Sequence, residues 1–214
     1  MKRYLAEFAA SFLMIFLGTG SMVLSDQTGG WFSHMDVSLS WGFAVGASIF
    51  IFGRWSGAQM NPAVTISLTL LRAHPKRELI PYLMLQFSGG ILASTLLAFL
   101  SPENEFLGSS LPAGSAMQSF YIEFLLTFAL MGVVLLSGWF KKGAIFLVPF
   151  VIGATVFLEA YFAGPTTGAS MNPARSFGPA IVSGHTEHLW VYLISTTLGA
   201  ICASGLWLIW KKRF

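Results

Sequence analysis

Charge is what this sequence has least of. Asp, Glu, Lys and Arg make up 10% of the chain and 55% of it is hydrophobic, whereas a soluble domain averages about 25% charged residues. Over 214 residues that composition excludes an ordinary soluble domain and reads as a polytopic membrane protein. The formal net charge of +3 is no nucleic-acid signal, because the bases fall in short connections between apolar runs. Cysteine occurs once, as Cys202 in a late apolar segment, which excludes an intramolecular disulfide. No nucleophile–base pair is evident, so an intramembrane enzyme is not expected. His185-Thr186-Glu187-His188 has metal-binding residue types at the wrong spacing for a helical zinc site. It reads as an exposed loop, and neither metal nor cofactor is expected.

What is present is one stretch written twice. Gly57-Ala58-Gln59-Met60-Asn61-Pro62-Ala63 returns as Gly168-Ala169-Ser170-Met171-Asn172-Pro173-Ala174, 111 residues later and with one difference in seven positions. Each copy reads as a turn, an Asn that caps a helix, a Pro at the first helical position and a short apolar helix. The helices are expected over Pro62–Leu71 and Pro173 to about Val182. Ten residues rise only ~15 Å, half of a bilayer's hydrocarbon core. Paired half-helices in corresponding places of two chain halves mark a midplane site built from an inverted repeat.

Six full spans surround these half-helices. They are expected at Tyr4–Leu24, Val37–Phe52, Glu78–Leu100, Gln118–Gly138, Ala144–Ala163 and Leu189–Trp210. Met1-Lys2-Arg3 before an apolar run resembles a secretory signal. Glu7 interrupts that run and no small-residue site closes it, so the expectation is a retained first span. Gly42 and Gly46 form a small-xxx-small pair that admits a neighbouring helix. Ser101–Met117 is the longest polar connection.

Orientation follows from the bases. With both termini cytoplasmic, Lys2, Arg3, Arg54, Arg72, Lys76, Arg77, Lys141, Lys142, Lys211, Lys212 and Arg213 all lie inside, eleven of the twelve Lys and Arg residues. The exception is Arg175, within the second half-helix, and an ionisable residue at membrane depth is a functional candidate. Glu7-Phe8 with Ser11-Phe12 is echoed by Glu123-Phe124 with Thr127-Phe128. The chain therefore divides into one channel domain of two repeats, about 1–100 and 118–214, joined by an outer loop 101–117. Three spans per repeat invert the second half, so the half-helices meet near the midplane.

Two facing helix N-termini make that midplane positive, a barrier to protons and other cations. Asn61 and Asn172 are expected to cap their helices and to turn a side-chain N–H toward a lumen. The stretches Ser56–Met60 and Gly164–Met171 are expected to be extended and to expose carbonyls along it, since non-helical backbone at this depth lines water or is buried in protein. Glu7 and Glu123 are expected to accept backbone N–H bonds from those stretches; the alternative for each is an interfacial carboxylate.

The doubled Asn-Pro-Ala, the two helix Glu residues and Asn172-Pro173-Ala174-Arg175-Ser176-Phe177-Gly178-Pro179 resemble the aquaporin, or major intrinsic protein, family over essentially the whole chain. The resemblance implies an all-α bundle of six spanning helices and two re-entrant half-helices, assembled as a homotetramer with one pore per subunit. It also implies an outer constriction of four residues. Twenty residues before Asn61 stands Trp41, twelve and three before Asn172 stand Ala160 and Ala169, and Arg175 is the fourth. Water-selective members resemble Phe, His, a small residue or Cys, and Arg. Trp41 resembles glycerol facilitators, and the whole set is closer to plant nodulin-like intrinsic proteins, as are Gly164-Pro165 and Gly168–Met171. Ser176 and Ala180 are instead water-channel-like, and Tyr192-Leu193 departs from the water-channel Phe-Trp. Trp41 also has a reading as an interfacial belt aromatic.

The expectation is a passive pore in a bacterial plasma membrane for water and glycerol-sized neutral solutes, with uncharged metalloid acids included. A strictly water-selective pore is the alternative. A coupled secondary transporter is the alternative from another class, although the spans carry no acidic or His relay beyond Glu7, Glu123 and Glu159. Glu159, beside Ala160, reads as a solvated carboxylate of the outer mouth or as a pH-responsive group near the filter.

Overall fold

The computed structural model describes residues 1–29, 31–138 and 142–211. Lys141, Lys212 and Arg213, three of the bases assigned to the inner side, lie outside the described residues. The helices are α1 (Lys2–Gln27), α2 (His34–Ser56), α3 (Pro62–Leu70), α4 (Leu79–Leu100), α5 (Ala116–Ser137), α6 (Val148–Thr167), α7 (Pro173–Ser183) and α8 (Leu189–Lys211). Short 3-10 segments at Lys76–Glu78 and Lys142–Leu147 lead into α4 and α6. Among the described residues, six helices are long and apolar enough to cross a bilayer. Their outward faces carry exposed Leu5, Phe43, Phe50, Phe99, Leu125 and Phe162, as a surface in contact with lipid requires.

The helices cross where glycine removes the side chain. A Cβ on Gly89 of α4 would lie 2.8 Å from the Phe8 carbonyl oxygen of α1, and one on Gly199 of α8 would collide with the Phe124 carbonyl of α5. Between α2 and α6 the approach is mutual. A Cβ on Gly42 would lie 2.8 Å from Gly153 O, and one on Gly153 would lie 2.7 Å from Gly42 O. Small residues let backbones this close gain dispersion contacts that lipid does not supply.

Specific bonds sort the helix ends into two faces. Arg3 Nη1 lies 2.7 Å from Glu78 Oε1, so α1 and α4 start at one face. Asn104 Nδ2 donates to Asp26 Oδ2 at 3.2 Å, so α1 and α4 end at the other. Ser183 at the end of α7 meets Ser109 of the 101–115 connection at 3.2 Å, whereas α3 ends beside the first face, with Ala73 and His74 N–H donating to Leu68 O. The half-helices therefore enter from opposite faces.

Several boundaries differ from the sequence reading: α2 runs on past Phe52 to Ser56, so Ser56 is helical rather than extended, and Ala58 and Met60 after it are left-handed at φ 42° and 52°. α1 runs on to Gln27, and a reciprocal capping box between Ser33 and Asp36 starts α2 at His34, three residues before the expected Val37. More consequentially, Gly164 and Pro165 are not extended: α6 runs through them to Thr167. A proline inside a helix deprives the carbonyl four residues earlier of its donor. Here that carbonyl is Tyr161 O, and His34 Nε2 bonds it at 2.9 Å. Gly164 makes room for this ring, since a Cβ there would lie 3.0 Å from His34 Cε1.

Candidate pore and its lining

The two Asn-Pro-Ala segments start α3 and α7 alike. Asn61 Oδ1 accepts from Ala63 N at 2.9 Å, Asn172 Oδ1 accepts from Ala174 N at 2.9 Å, and Pro62 and Pro173 occupy the first helical positions. Each carboxamide then has its Nδ2 to spend, and each crosses to the other loop. Asn61 Nδ2 donates to Met171 O at 2.7 Å and Asn172 Nδ2 donates to Met60 O at 2.8 Å. An amide nitrogen carries two hydrogens, so one N–H per Asn remains for the cavity that both residues line. Two carbonyls expected along the lumen thus face the opposite Asn.

The loops before each Asn are short and strained. Gly57 and Gly168 end α2 and α6 in the left-handed conformation at φ 84° and 80°. Ala58, Met60, Ala169 and Met171 follow at φ 42°, 52°, 42° and 54°. Non-glycine residues in this region cost about 1–3 kcal/mol each and persist only where surrounding bonds hold them. Those bonds come from Glu7 and Glu123, both fully buried. Glu7 accepts from Gln59 N at 3.2 Å, Met60 N at 2.6 Å and Gln86 Nε2 at 2.8 Å. Glu123 accepts from Ser170 N, Met171 N and Thr167 Oγ1, each at 2.8 Å. The interfacial alternative for these carboxylates is removed.

Around the two Asn residues lies a cavity of about 220 Å³. Its lining includes apolar Met14, Val45, Val64, Leu130, Ile152 and Val156, together with loop residues Gly57–Asn61 and Ala169–Asn172 and with Arg175. Apolar walls with a few convergent donors suit a small solute that has both carbon and oxygen faces.

Arg175 is fully buried. Its Nη1 donates to Gly108 O at 2.8 Å, its Nη2 lies 3.2 Å from Met22 Sδ, and its Cζ sits 4.6 Å from the centroid of the Trp41 ring. Trp41 is buried too, so it is not a belt aromatic. Trp41, Ala169 and Arg175 line the cavity; Ala160 does not. Ala160 is buried in the same apolar cluster as Trp41 and Ala169. Glu159 is half-buried, its Oε2 has no hydrogen-bond partner, and it is not among the cavity-lining residues. Neither the solvated-mouth account nor the filter account matches that placement.

A family model described as "Major intrinsic protein" matches residues 1–207. The chain belongs to the major intrinsic protein family. It is similar to "Aquaporin NIP1-1" of Oryza sativa subsp. japonica, at 36% identity over 97% of this chain and 72% of that protein. It is also similar to "Nodulin-26" of Glycine max, at 35% identity over 97% of this chain and 76% of the other. The fold matches the X-ray structure of the aquaglyceroporin from Plasmodium falciparum with a TM-score of 0.87 and 23% identity, covering 96% of this chain and 94% of that one. Like its family, the chain is a membrane channel and not an enzyme.

Several residues of this major intrinsic protein pore escaped the sequence reading. Ser56 and Thr167 accept from Ala58 N and Ala169 N at 2.9 and 3.0 Å. Tyr82 and Tyr192 hydroxyls donate to Ser56 O and Thr167 O at 3.0 and 2.8 Å. The signal was the repeat itself, since Ser56 and Thr167 extend the doubled motif by one hydroxyl residue and Tyr-Leu recurs at 82 and 192. Tyr192 is therefore tied through its hydroxyl to the end of α6, just before the second loop. Gly108 had no such signal, because the 101–115 connection has no counterpart in the other half.

Proposed function

We propose that this protein is a passive channel for water and glycerol-sized uncharged solutes, including neutral metalloid acids, and that it excludes protons and ions. The reading rests on one observation above the others: Trp41 and Arg175 lie in contact, with the guanidinium carbon 4.6 Å from the ring centroid, and both line a cavity beside which the remaining filter positions, Ala160 and Ala169, are methyl-sized. A polyol passing there lays its carbon face on the indole and its hydroxyls against the guanidinium. Ala160 contributes by what it lacks, since no imidazole narrows the passage. Asn61, Pro62, Ala63, Asn172, Pro173 and Ala174 form the central constriction. There the facing N-termini of α3 and α7 repel cations. Glu7 and Glu123 anchor the loops.

The same reading makes the chain one domain of two inverted repeats, about 1–100 and 118–214, in a homotetramer. It places the protein in the cell membrane with both termini cytoplasmic, which the clustering of Arg3, Arg54, Lys76 and Arg77 at one face supports.

Light scattering from proteoliposomes tests the solute. Fast shrinkage in sorbitol with reswelling in glycerol is expected. Fast shrinkage without reswelling would replace the reading with a strictly water-selective pore, the alternative that Ser176 and Ala180 favour.

A further inference from the structure

We propose that Gly18, on α1 and outside the four filter positions, is a specificity-determining residue that sets how far the Trp41 indole reaches into the lumen that Trp41 and Arg175 both line. The proposal rests on the reading of that lumen as the passage for glycerol-sized solutes.

A Cβ built on Gly18 would lie 2.6 Å from Trp41 Cδ2, and nearer still to Cε3 and Cζ3, where ordinary contact begins at 3.4 Å. The six-membered ring of the indole therefore lies directly on the α1 backbone, in space that any side chain would claim. The backbone of α2 has no room to retreat. A Cβ on Gly42, the residue after Trp41, would be 2.7 Å from Phe157 Cβ and 2.8 Å from Gly153 O. With α1 on one side, α6 behind and the Arg175 guanidinium over the ring, the free volume left beside the indole is the cavity that Trp41 lines. Adding one methyl group at position 18 thus moves the indole by most of an ångström into the lumen.

Arg175, the neighbour of Trp41 in the cavity lining, is registered from the same stretch of α1. Met22, one turn beyond Gly18, holds Arg175 Nη2 by its sulfur at 3.2 Å. Thr19 packs on Gly108, where a Cβ would lie 2.9 Å from Thr19 Cβ, and the Gly108 carbonyl holds Arg175 Nη1 at 2.8 Å. One stretch of α1 therefore places both lining groups: Gly18 lets the indole back, and Met22 with Thr19 sets how far the guanidinium reaches.

The test compares wild type, Gly18→Ala, Trp41→Phe and Gly18→Ala/Trp41→Phe by stopped-flow light scattering, reading water and glycerol permeability for each. Phe lacks the outer ring that meets position 18. Gly18→Ala is expected to lower the glycerol-to-water ratio by about tenfold, the scale at which one methylene is discriminated in a tight site. The double variant is expected to return to the ratio of Trp41→Phe alone. An unchanged ratio in Gly18→Ala, with glycerol passing through wild type, overturns the proposal and leaves the wide-filter reading standing. Loss of both permeabilities that Trp41→Phe does not restore also overturns it, as general packing damage. Should wild type exclude glycerol, the wide-filter reading fails and water becomes the probe. Reduced water permeability in Gly18→Ala, restored by Trp41→Phe, then supports the role of Gly18, and an unchanged value overturns it.

Discussion

Asn61 and Asn172 hold each other's loops: each side-chain amide donates to the carbonyl just before the other Asn, at 2.7 and 2.8 Å. The two halves of the pore are therefore fastened at its centre by a reciprocal pair of bonds, added to the cap that each Asn makes on its own helix.

That reciprocity predicts coupling. Asn61→Ala and Asn172→Ala should each lower thermal stability in detergent, by about 1 kcal/mol for the lost cap and about as much again for the lost cross-loop bond. Because the bonds share both loops, the double variant should depart from additivity by about 0.5–3 kcal/mol. Strictly additive melting shifts would show that the loops are held independently.

The anchors should tolerate no loss of acceptor capacity. A glutamine keeps one acceptor oxygen and turns N–H groups toward donors that need an acceptor. Glu7→Gln and Glu123→Gln are each expected to cost about 1–3 kcal/mol and to reduce water permeability per reconstituted channel. Glu123→Gln should be the more damaging of the two. All three donors to Glu123 come from the second loop and the end of α6, whereas Gln86, a donor to Glu7, also has Thr65 Oγ1 at 2.8 Å as a partner. Equal permeabilities of the two variants and wild type would remove the anchoring role.

The filter reading predicts a conversion. Trp41→Phe combined with Ala160→His replaces an indole with a smaller ring and supplies the missing imidazole. Glycerol-driven reswelling should fall by about tenfold or more while shrinkage in sorbitol stays fast. Persistence of the glycerol phase would place selection elsewhere along the cavity.

Glycines on the spans separate into two kinds, and the difference is measurable. A Cβ on Gly199 collides with the Phe124 backbone, so Gly199→Ala must push α8 from α5 and lower the melting temperature. A Cβ on Gly132 meets nothing within 4 Å, so Gly132→Ala is expected to be neutral or to stabilise by up to about 1 kcal/mol. A reversed order of melting temperatures would contradict the packing described for α5 and α8.

Legibility in the sequence followed the range of the interactions. The half-helices were readable because a cap, a proline and a short apolar run are local features, and the doubling confirmed their register. Glu7 and Glu123 were readable because a carboxylate in an apolar run demands a partner. Gly164 and Pro165 misled, because whether a proline ends a helix depends on who takes the freed carbonyl, and His34 stands 127 positions away from Tyr161. The carbonyl of Gly108 was invisible for a related reason. A backbone acceptor has no residue type, and only the fold brings it to Arg175.

The reciprocal amide bonds also bear on how the protein is made. During synthesis, α3 leaves the ribosome with Met60 facing a position whose donor, Asn172, is still 112 residues away. A nine-residue helix is too short to insert as a span of its own. The first loop must therefore wait in an incompletely bonded state until α7 arrives from the other face. The cross-loop bonds close only once α7 has arrived, before α8 is made, and a chain truncated before residue 172 lacks the donor to Met60 O.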